Sequence, residues 1–134
     1  MGDRAQVVVR RYGSKSDTDG VFLYTHSGGY CLAEAVQAAL ARKVRWDDPE
    51  YLTRIIFCQM VKGAEADECG FGIGLGVHGD IEHPLIVVDP ANQRVGFCPR
   101  DSMKVGAWFT MDRFVGLSTK ELAAAYGQES EDEE

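Results

Sequence analysis

The sequence predicts an α+β fold: a single antiparallel or mixed sheet of about five to six strands, with two central helices and a short C-terminal helix packed on it. Two observations lead to this prediction, namely β-branched segments separated by polar turns and two longer segments with apolar residues at helical spacing. We expect residues 1–127 to form one domain, because 134 residues is close to the usual size of a single domain. Residues 128–134 are very polar, and we predict a disordered acidic tail there.

The first two predicted strands form a hairpin. Residues 5–12 contain three consecutive valines, and residues 21–25 form a second β-branched and aromatic segment. The polar turn at residues 13–20 separates them, and a short polar loop favours antiparallel pairing of the strands that it joins.

Two helices are predicted after this hairpin. Apolar residues recur at helical spacing over residues 30–43, which predicts the first helix. The second helix is predicted over residues 49–62, because Asp48 is a suitable N-cap, Pro49 suits the first helical position and Gly63 suits the end.

The second half of the chain alternates predicted strands with tight turns. Residues 70–77 carry glycine at every other position, so we expect a strand whose glycine face lets another backbone or a helix lie close. Three further strands are predicted at residues 85–89, 94–98 and 105–110. Ser118 and Glu121 have the spacing of a capping box, which predicts a short helix that ends at Gly127.

Charge and hydropathy exclude several classes of partner. The formal net charge is −7, but five acidic residues lie among the last six, and elsewhere 14 basic residues stand against 16 acidic ones. Because this body lacks a basic surface, we expect no direct nucleic-acid binding. Residues 1–10 contain no apolar signal segment and no apolar run is long enough to cross a bilayer. We therefore expect no membrane partner and a cytoplasmic protein with reduced cysteines.

The strongest candidate for a ligand site is the junction between the second strand and the first helix. It consists of Thr25, His26, Ser27, Gly28, Gly29 and Tyr30. The first amides of a helix favour an anion, and glycines let a ligand approach the backbone, so the junction predicts a site for a phosphate or carboxylate. The alternative is that Ser27 caps the helix and the glycines only form the turn.

A second candidate lies between the two predicted helices, at Arg45 and Trp46. An exposed tryptophan beside arginine can stack on a planar ligand or on a partner surface. The alternative, which we favour, is that Trp46 fills the gap between the helices while Arg45 pairs with Asp47 or Asp48.

Patterns for catalysis and for cofactors are weaker. A hydrolase or transferase would use His26, or Cys31 close to a helix N-terminus, where the pKa of a thiol is often lowered. His78 and His83 lack the spacing of metal ligands and are expected in a solvated loop, so no metal is predicted. The glycines of residues 70–77 are not a dinucleotide fingerprint, and no cofactor is predicted. We therefore favour a binding protein over an enzyme.

Three segments of the sequence stand out: THSGGY after a strand, RWDDPEYLTRIIF at the second helix, and GFGIG before VVDPANQ. Together they resemble segments of small proteins encoded in bacteriophage and actinobacterial genomes, a group with no assigned activity. Related sequences have an aromatic residue where this chain has Ser27. The resemblance implies a phage setting and the host cytoplasm, and supplies no catalytic residues. In a phage setting we expect a non-catalytic protein that binds a host defence or regulatory protein, or that sequesters a small anionic ligand such as a nucleotide. A structural or assembly protein is the further alternative, and each role is compatible with a homo-oligomer.

Overall fold

A computed structural model describes residues 2–102 and 104–127. In chain order the elements are β1 (Ala5–Arg10), β2 (Gly20–Thr25), a 3-10 turn (Gly29–Cys31), α1 (Leu32–Leu40), α2 (Pro49–Met60), β3 (Phe71–Gly74), β4 (Leu85–Asp89), β5 (Arg94–Cys98), β6 (Ala107–Thr110), α3 (Met111–Val115) and α4 (Thr119–Ala125). The predicted acidic tail, residues 128–134, lies outside the described residues. Within the described ranges, every helix is too short or too polar to cross a bilayer.

The six strands form one mixed sheet in the order β3-β2-β1-β4-β5-β6. β1 runs parallel to β4, and the other neighbouring strands are antiparallel. In this register Val8 lies between Phe22 of β2 and Val87 of β4. The predicted hairpin and the predicted α+β class, with a single sheet of five to six strands, are confirmed.

The larger hydrophobic core lies between the sheet and the helices. Side chains alternate between the two faces of a strand, so Val7 and Val9 face the helices together with Ile86 and Val88. All four helices contribute buried residues to this cluster, among them Val36, Leu52, Phe114 and Leu122. Full burial of a large apolar side chain stabilises a protein by roughly 1.5–3 kcal/mol. This cluster is therefore the main source of stability, and the helices share one face as predicted.

Loops cover the opposite face of the sheet. A smaller apolar cluster there contains Val8, Phe22, Val87 and Cys98, with Ile81 from the β3–β4 loop packed on it. The charged side chains of Arg10 and Asp89 are also buried on this face.

The buried amide of Gln6 explains why β3 is shorter than predicted. Alternation predicts a strand over residues 70–77, whereas β3 ends at Gly74. The Gln6 side chain donates from Nε2 to the carbonyl of Gly76 at 3.1 Å and accepts from the amide of His78 at 2.9 Å. Because of these two hydrogen bonds, the segment after Gly74 turns toward Gln6 of β1 and no longer pairs with β2. The predicted close packing on the glycine face is wrong, because a Cβ at Gly72 or Gly74 would meet no atom within 4 Å.

The helix starts follow local rules, but both central helices are shorter than predicted. Asp48 accepts hydrogen bonds from the first amides of α2, and Ser118 forms the predicted capping box at α4. α2 is predicted to reach residue 62 and ends at Met60. The first helix is predicted over residues 30–43, but α1 begins at Leu32, after a 3-10 turn, and ends at Leu40. The reason is that Lys43 and Arg45 have φ angles of 57° and 59°, in the left-handed region that a helix excludes.

Candidate functional site

The junction after β2 is closed by its own side chains. The hydroxyl of Thr25 accepts a hydrogen bond from the amide of Gly28 at 3.2 Å, and the amide of Cys31 donates to the carbonyl of Gly28 at 3.1 Å. No side-chain cap from Gly28 or Cys31 precedes the 3-10 turn or α1. Thr25, rather than the exposed Ser27, therefore closes this turn.

The N-terminal segment supplies acceptors for the junction amides. The carbonyl of Asp3 accepts from the amide of Gly29 at 2.8 Å, and its carboxylate accepts from the amide of Tyr30 at 2.8 Å. The amide of Asp3 in turn donates to the carbonyl of His26 at 2.7 Å. The amides of Gly29 and Tyr30 thus already have acceptors within the chain, and a ligand anion at the amide of Tyr30 would have to displace the carboxylate of Asp3.

Three residues that the sequence analysis did not select complete this arrangement: Asp3, His83 and Tyr126. The second carboxylate oxygen of Asp3 lies 2.6 Å from Nε2 of His83, whose ring stacks on Tyr126 at a centroid distance of 5.2 Å. The hydroxyl of Tyr126 donates to the carbonyl of Gly29 at 3.1 Å. We call these contacts among Asp3, Gly29, His83 and Tyr126 the N-terminal clasp.

The clasp is tightly packed at Gly29. A Cβ at this position would lie 2.5 Å from the carbonyl oxygen of Asp3 and 2.7 Å from a ring carbon of His83. Burial, followed by the charges of Asp3 and Cys31, raises the pKa of Tyr126, so its hydroxyl stays a neutral donor. Glycine is required here for close approach, and the expectation that His83 lies in a solvated loop is wrong.

The remaining junction residues are spread over the surface. The ring of His26 contacts the hydroxyl of Tyr24 through Nδ1 at 3.3 Å, while Ser27 and the side chain of Tyr30 are exposed. His78, which lies on the same side as Tyr24, packs against that tyrosine at 4.6 Å between ring centroids. In the parts of the chain that are described, no group of three or more His, Cys, Asp or Glu side chains is arranged to hold a metal ion.

The surroundings of Cys31 favour the neutral thiol. Its Sγ donates to the carbonyl of Gly28 at 3.3 Å and borders a pocket of about 90 Å³ that Met60 and Phe71 also line. Burial, followed by the charges of Glu34 and Asp3, raises the pKa of the Cys31 thiol. A catalytic cysteine needs the opposite shift.

Arg45 and Trp46 lie beyond the C-terminal end of α1, whereas the junction lies at its N-terminal end. Nine helical residues span about 13 Å, so the two predicted sites are not brought together. The indole N–H of Trp46 donates to the carbonyl of Leu40 at 2.9 Å, and its ring packs against the main core. Arg45 lies 4.0 Å from Asp48 and stacks over the ring of Tyr51. Trp46 therefore fills the gap between the helices, in agreement with the favoured alternative.

A different surface carries exposed apolar side chains, at the edge strand β3. Ile73 is 64% exposed and Leu75 is 92% exposed, although both are large and apolar. Leu75 borders a cleft of about 570 Å³ between α2 and the β1–β2 hairpin, which is lined mainly by apolar atoms and by residues such as Val9, Val21, Pro49 and Thr53. We call this the apolar cleft, and its size is typical of small-ligand or side-chain pockets.

The outer edge of β3 offers backbone groups for pairing. The amide of His26 donates to the carbonyl of Gly70 at 2.9 Å, and the same register continues with Tyr24 opposite Gly72 and Phe22 opposite Gly74. Bonded and non-bonded pairs alternate in an antiparallel ladder, so the glycines direct their amides and carbonyls to β2. Phe71 and Ile73 consequently direct theirs outward, where no described strand pairs with them.

Comparison of the chain with protein-family models, curated proteins and solved structures gives no match. Its class is therefore defined by the fold alone, a six-stranded mixed α+β sheet with helices on one face.

Proposed function

We propose that this chain is a non-catalytic binding protein that takes up an extended segment of another protein at the outer edge of β3. The observation that carries the proposal is the combination of a strand edge that no described strand covers with two exposed apolar side chains, Ile73 and Leu75, of which Leu75 lines the apolar cleft. In strand addition, main-chain hydrogen bonds supply affinity and pockets for alternate side chains supply specificity. The outer edge of β3 offers the main-chain groups, and the apolar cleft beside it offers a pocket for a side chain.

The charge around this edge favours a basic partner. The α2–β3 connector, residues 64–69, enters β3 and carries three exposed acidic side chains, Glu65, Asp67 and Glu68. Among the described residues, none of these carboxylates forms an ion pair. At the other end of β3 the surface is apolar, around Leu75. The partner segment that fits is therefore extended, with alternating apolar residues at one end and lysine or arginine at the other.

The alternatives have less support from the geometry. A nucleotide at the strand–helix junction would compete with the carboxylate of Asp3, and a hydrolase that uses Cys31 would need a thiolate that burial disfavours. If the resemblance to phage proteins reflects a phage setting, the partner is a host defence or regulatory protein. A structural or assembly role would use the same edge for a second copy of the chain.

The test uses a synthetic peptide of roughly ten residues in which valine alternates with threonine and lysines occupy one end. Two versions, with the lysines at the N-terminal or the C-terminal end, distinguish parallel from antiparallel addition. We expect saturable amide shifts in NMR spectra at residues 65–75. A version with glutamate in place of lysine should bind about tenfold more weakly, which corresponds to roughly 1.4 kcal/mol.

Two variants locate the binding surface. Ile73→Pro removes an outward N–H that β2 does not use, and proline is tolerated at such edge positions. Leu75→Asp places a charge at the rim of the cleft. Each should weaken peptide binding about tenfold or more, while Val44→Asp, at another exposed apolar position, should leave it unchanged. The proposal is wrong if no peptide shifts β3, or if sedimentation shows a dimer that Ile73→Pro and Leu75→Asp abolish.

A further inference from the structure

A second cleft lies on the loop-covered face of the sheet, between the β1–β2 loop and the β5–β6 loop. It has a volume of about 370 Å³ and is lined by Lys15, Ser16, Asp17 and Lys104. We call it the lysine cleft. We propose that it binds a phosphoryl group of a small molecule, held between the ammonium groups of Lys15 and Lys104. Neither lysine belongs to the strand–helix junction or to the edge of β3.

A buried arginine holds the first loop in place. Arg10 donates from Nε to the carbonyl of Ser16 at 3.0 Å and from Nη2 to the carbonyl of Ser14 at 2.8 Å. Its Nη1 bonds to the carboxylate of Asp89 at 3.0 Å. Because Arg10 and Asp89 are both buried, the carbonyls on either side of Lys15 bond to a side chain that is itself fixed in the protein interior. The cleft therefore has one preorganised wall.

Asp17 joins the second loop to the first. Its Oδ2 accepts a hydrogen bond from the amide of Val105 at 2.9 Å, next to Lys104, and its Oδ1 lies 3.9 Å from Nη1 of Arg10. The hydroxyl of Ser102 also bonds to the carbonyl and amide of Lys104. Both lysines thus project from backbone that hydrogen bonds hold in place, which lowers the entropy cost of binding between them.

The local charge matches a dianion. Arg10 and Arg94 are balanced by Asp17 and Asp89, which contact them directly. Lys15 and Lys104 have no carboxylate partner in the described ranges, so the group carries two positive charges in excess. A phosphate monoester carries close to two negative charges at neutral pH. Lysine binds such a group as a point charge, and the flexible side chains can close on it from both sides.

The test measures binding of inorganic phosphate, inorganic diphosphate and a nucleoside monophosphate by NMR titration at low ionic strength. We expect saturable shifts at residues 14–18 and 104–106 with at least one probe, and weaker binding as salt is raised. Tighter binding of the nucleotide than of inorganic phosphate would identify an organic phosphate as the ligand class, whereas equal binding would identify phosphate itself. Lys15→Ala and Lys104→Ala should each weaken binding about tenfold.

Lys120→Ala is the matched control, because Lys120 is an exposed lysine on α4, on the helix-covered side of the sheet. It should leave binding unchanged. Three results would overturn the proposal. The first is the absence of a saturable shift with any probe, and the second is that Lys120→Ala weakens binding as much as the cleft substitutions do. The third is that the shifts are centred on residues 26–30 and survive both cleft substitutions. Because both lysines are exposed and form no ion pair with another described residue, both variants are expected to fold, and their unfolding curves should match wild type.

Discussion

The carboxylate of Asp3 accepts a hydrogen bond from the backbone amide of Tyr30 at 2.8 Å, where the 3-10 turn leads into α1. A side chain 27 residues away in the sequence therefore occupies the position that helix amides offer to an anion. The same carboxylate contacts His83, so the N-terminus, the helix start and the β3–β4 loop are joined at one residue.

Removal of this carboxylate should destabilise the fold. We expect Asp3→Ala to lower the free energy of unfolding by about 2 kcal/mol, because an acceptor for the amide of Tyr30 and a partner of His83 are both lost. Urea denaturation measures the change. Asp67→Ala, at an exposed acidic position without an ion pair, is the control and should change little. Equal stability of Asp3→Ala and wild type would show that the clasp contributes nothing.

The same variant leaves the amide of Tyr30 without its carboxylate acceptor, while the amide of Gly29 keeps the backbone carbonyl of residue 3. Phosphate should therefore raise the Tm of Asp3→Ala by more than it raises the Tm of wild type, since the anion takes the place of the lost carboxylate. Thermal melts in phosphate and in chloride at equal ionic strength measure the difference. If both proteins respond equally, the junction has no affinity for anions even when Asp3 is absent.

Gly29 should tolerate no side chain. Gly29→Ala places a methyl group against the carbonyl of Asp3 and the ring of His83, and we expect a loss of about 2 kcal/mol from overpacking. Gly28→Ala is the matched control, because its Cβ would approach no atom closer than 3.3 Å. Its loss of stability should be clearly smaller. A larger loss of stability for Gly28→Ala than for Gly29→Ala in urea denaturation would contradict the packing described for the clasp.

The buried carboxylate of Asp89 should make stability depend on pH. Burial alone would raise the pKa of Asp89, but hydrogen bonds from Asn92 and Arg94 and the charges of Arg10 and Arg94 outweigh it and lower the pKa. A lowered pKa contributes stability above the unfolded value of about 3.9, and this contribution is lost as pH falls through the folded value.

Substitution of this residue tests the sign of the effect. Asp89→Asn should destabilise the protein at pH 7 by about 3 kcal/mol, because the buried Arg10 loses its closer carboxylate and keeps only that of Asp17, at 3.9 Å. The difference between variant and wild type in the free energy of unfolding should become smaller as the pH falls below about 4. Asp112→Asn, which alters an exposed ion pair with Lys43, should change stability little. A difference that is constant with pH would contradict the assigned pKa shift.

The cysteines should differ in their rates of alkylation. Burial, as the largest cause, raises the pKa of both Cys31 and Cys98, whereas Cys58 and Cys69 are exposed. Iodoacetamide at pH 7.5 should therefore modify Cys58 and Cys69 first, and peptide mass spectrometry resolves the order. Fast modification of Cys31 would reopen the hydrolase alternative.

Local features were readable from the sequence because their partners are close along the chain. The N-cap at Asp48 and the capping box of Ser118 with Glu121 each act within three residues, and β4 and β5, on either side of a tight turn, have their predicted bounds. The strand–helix junction was also found where it was predicted, because the break after Thr25 is a local signal.

The state of that junction was decided by tertiary structure. Asp3 with Tyr30, Gln6 with Gly76 and Arg10 with Asp89 are separated by 27, 70 and 79 residues, so no local pattern links them. Arg10 and Asp89 pair because packing of the sheet buries both charges, and the buried amide of Gln6 needs partners, which the backbone beyond β3 supplies. Asp3 reaches Tyr30 because the sheet holds the N-terminal segment beside the start of α1. Long-range packing thus set what occupies the junction and where β3 ends, and neither follows from short-range periodicity.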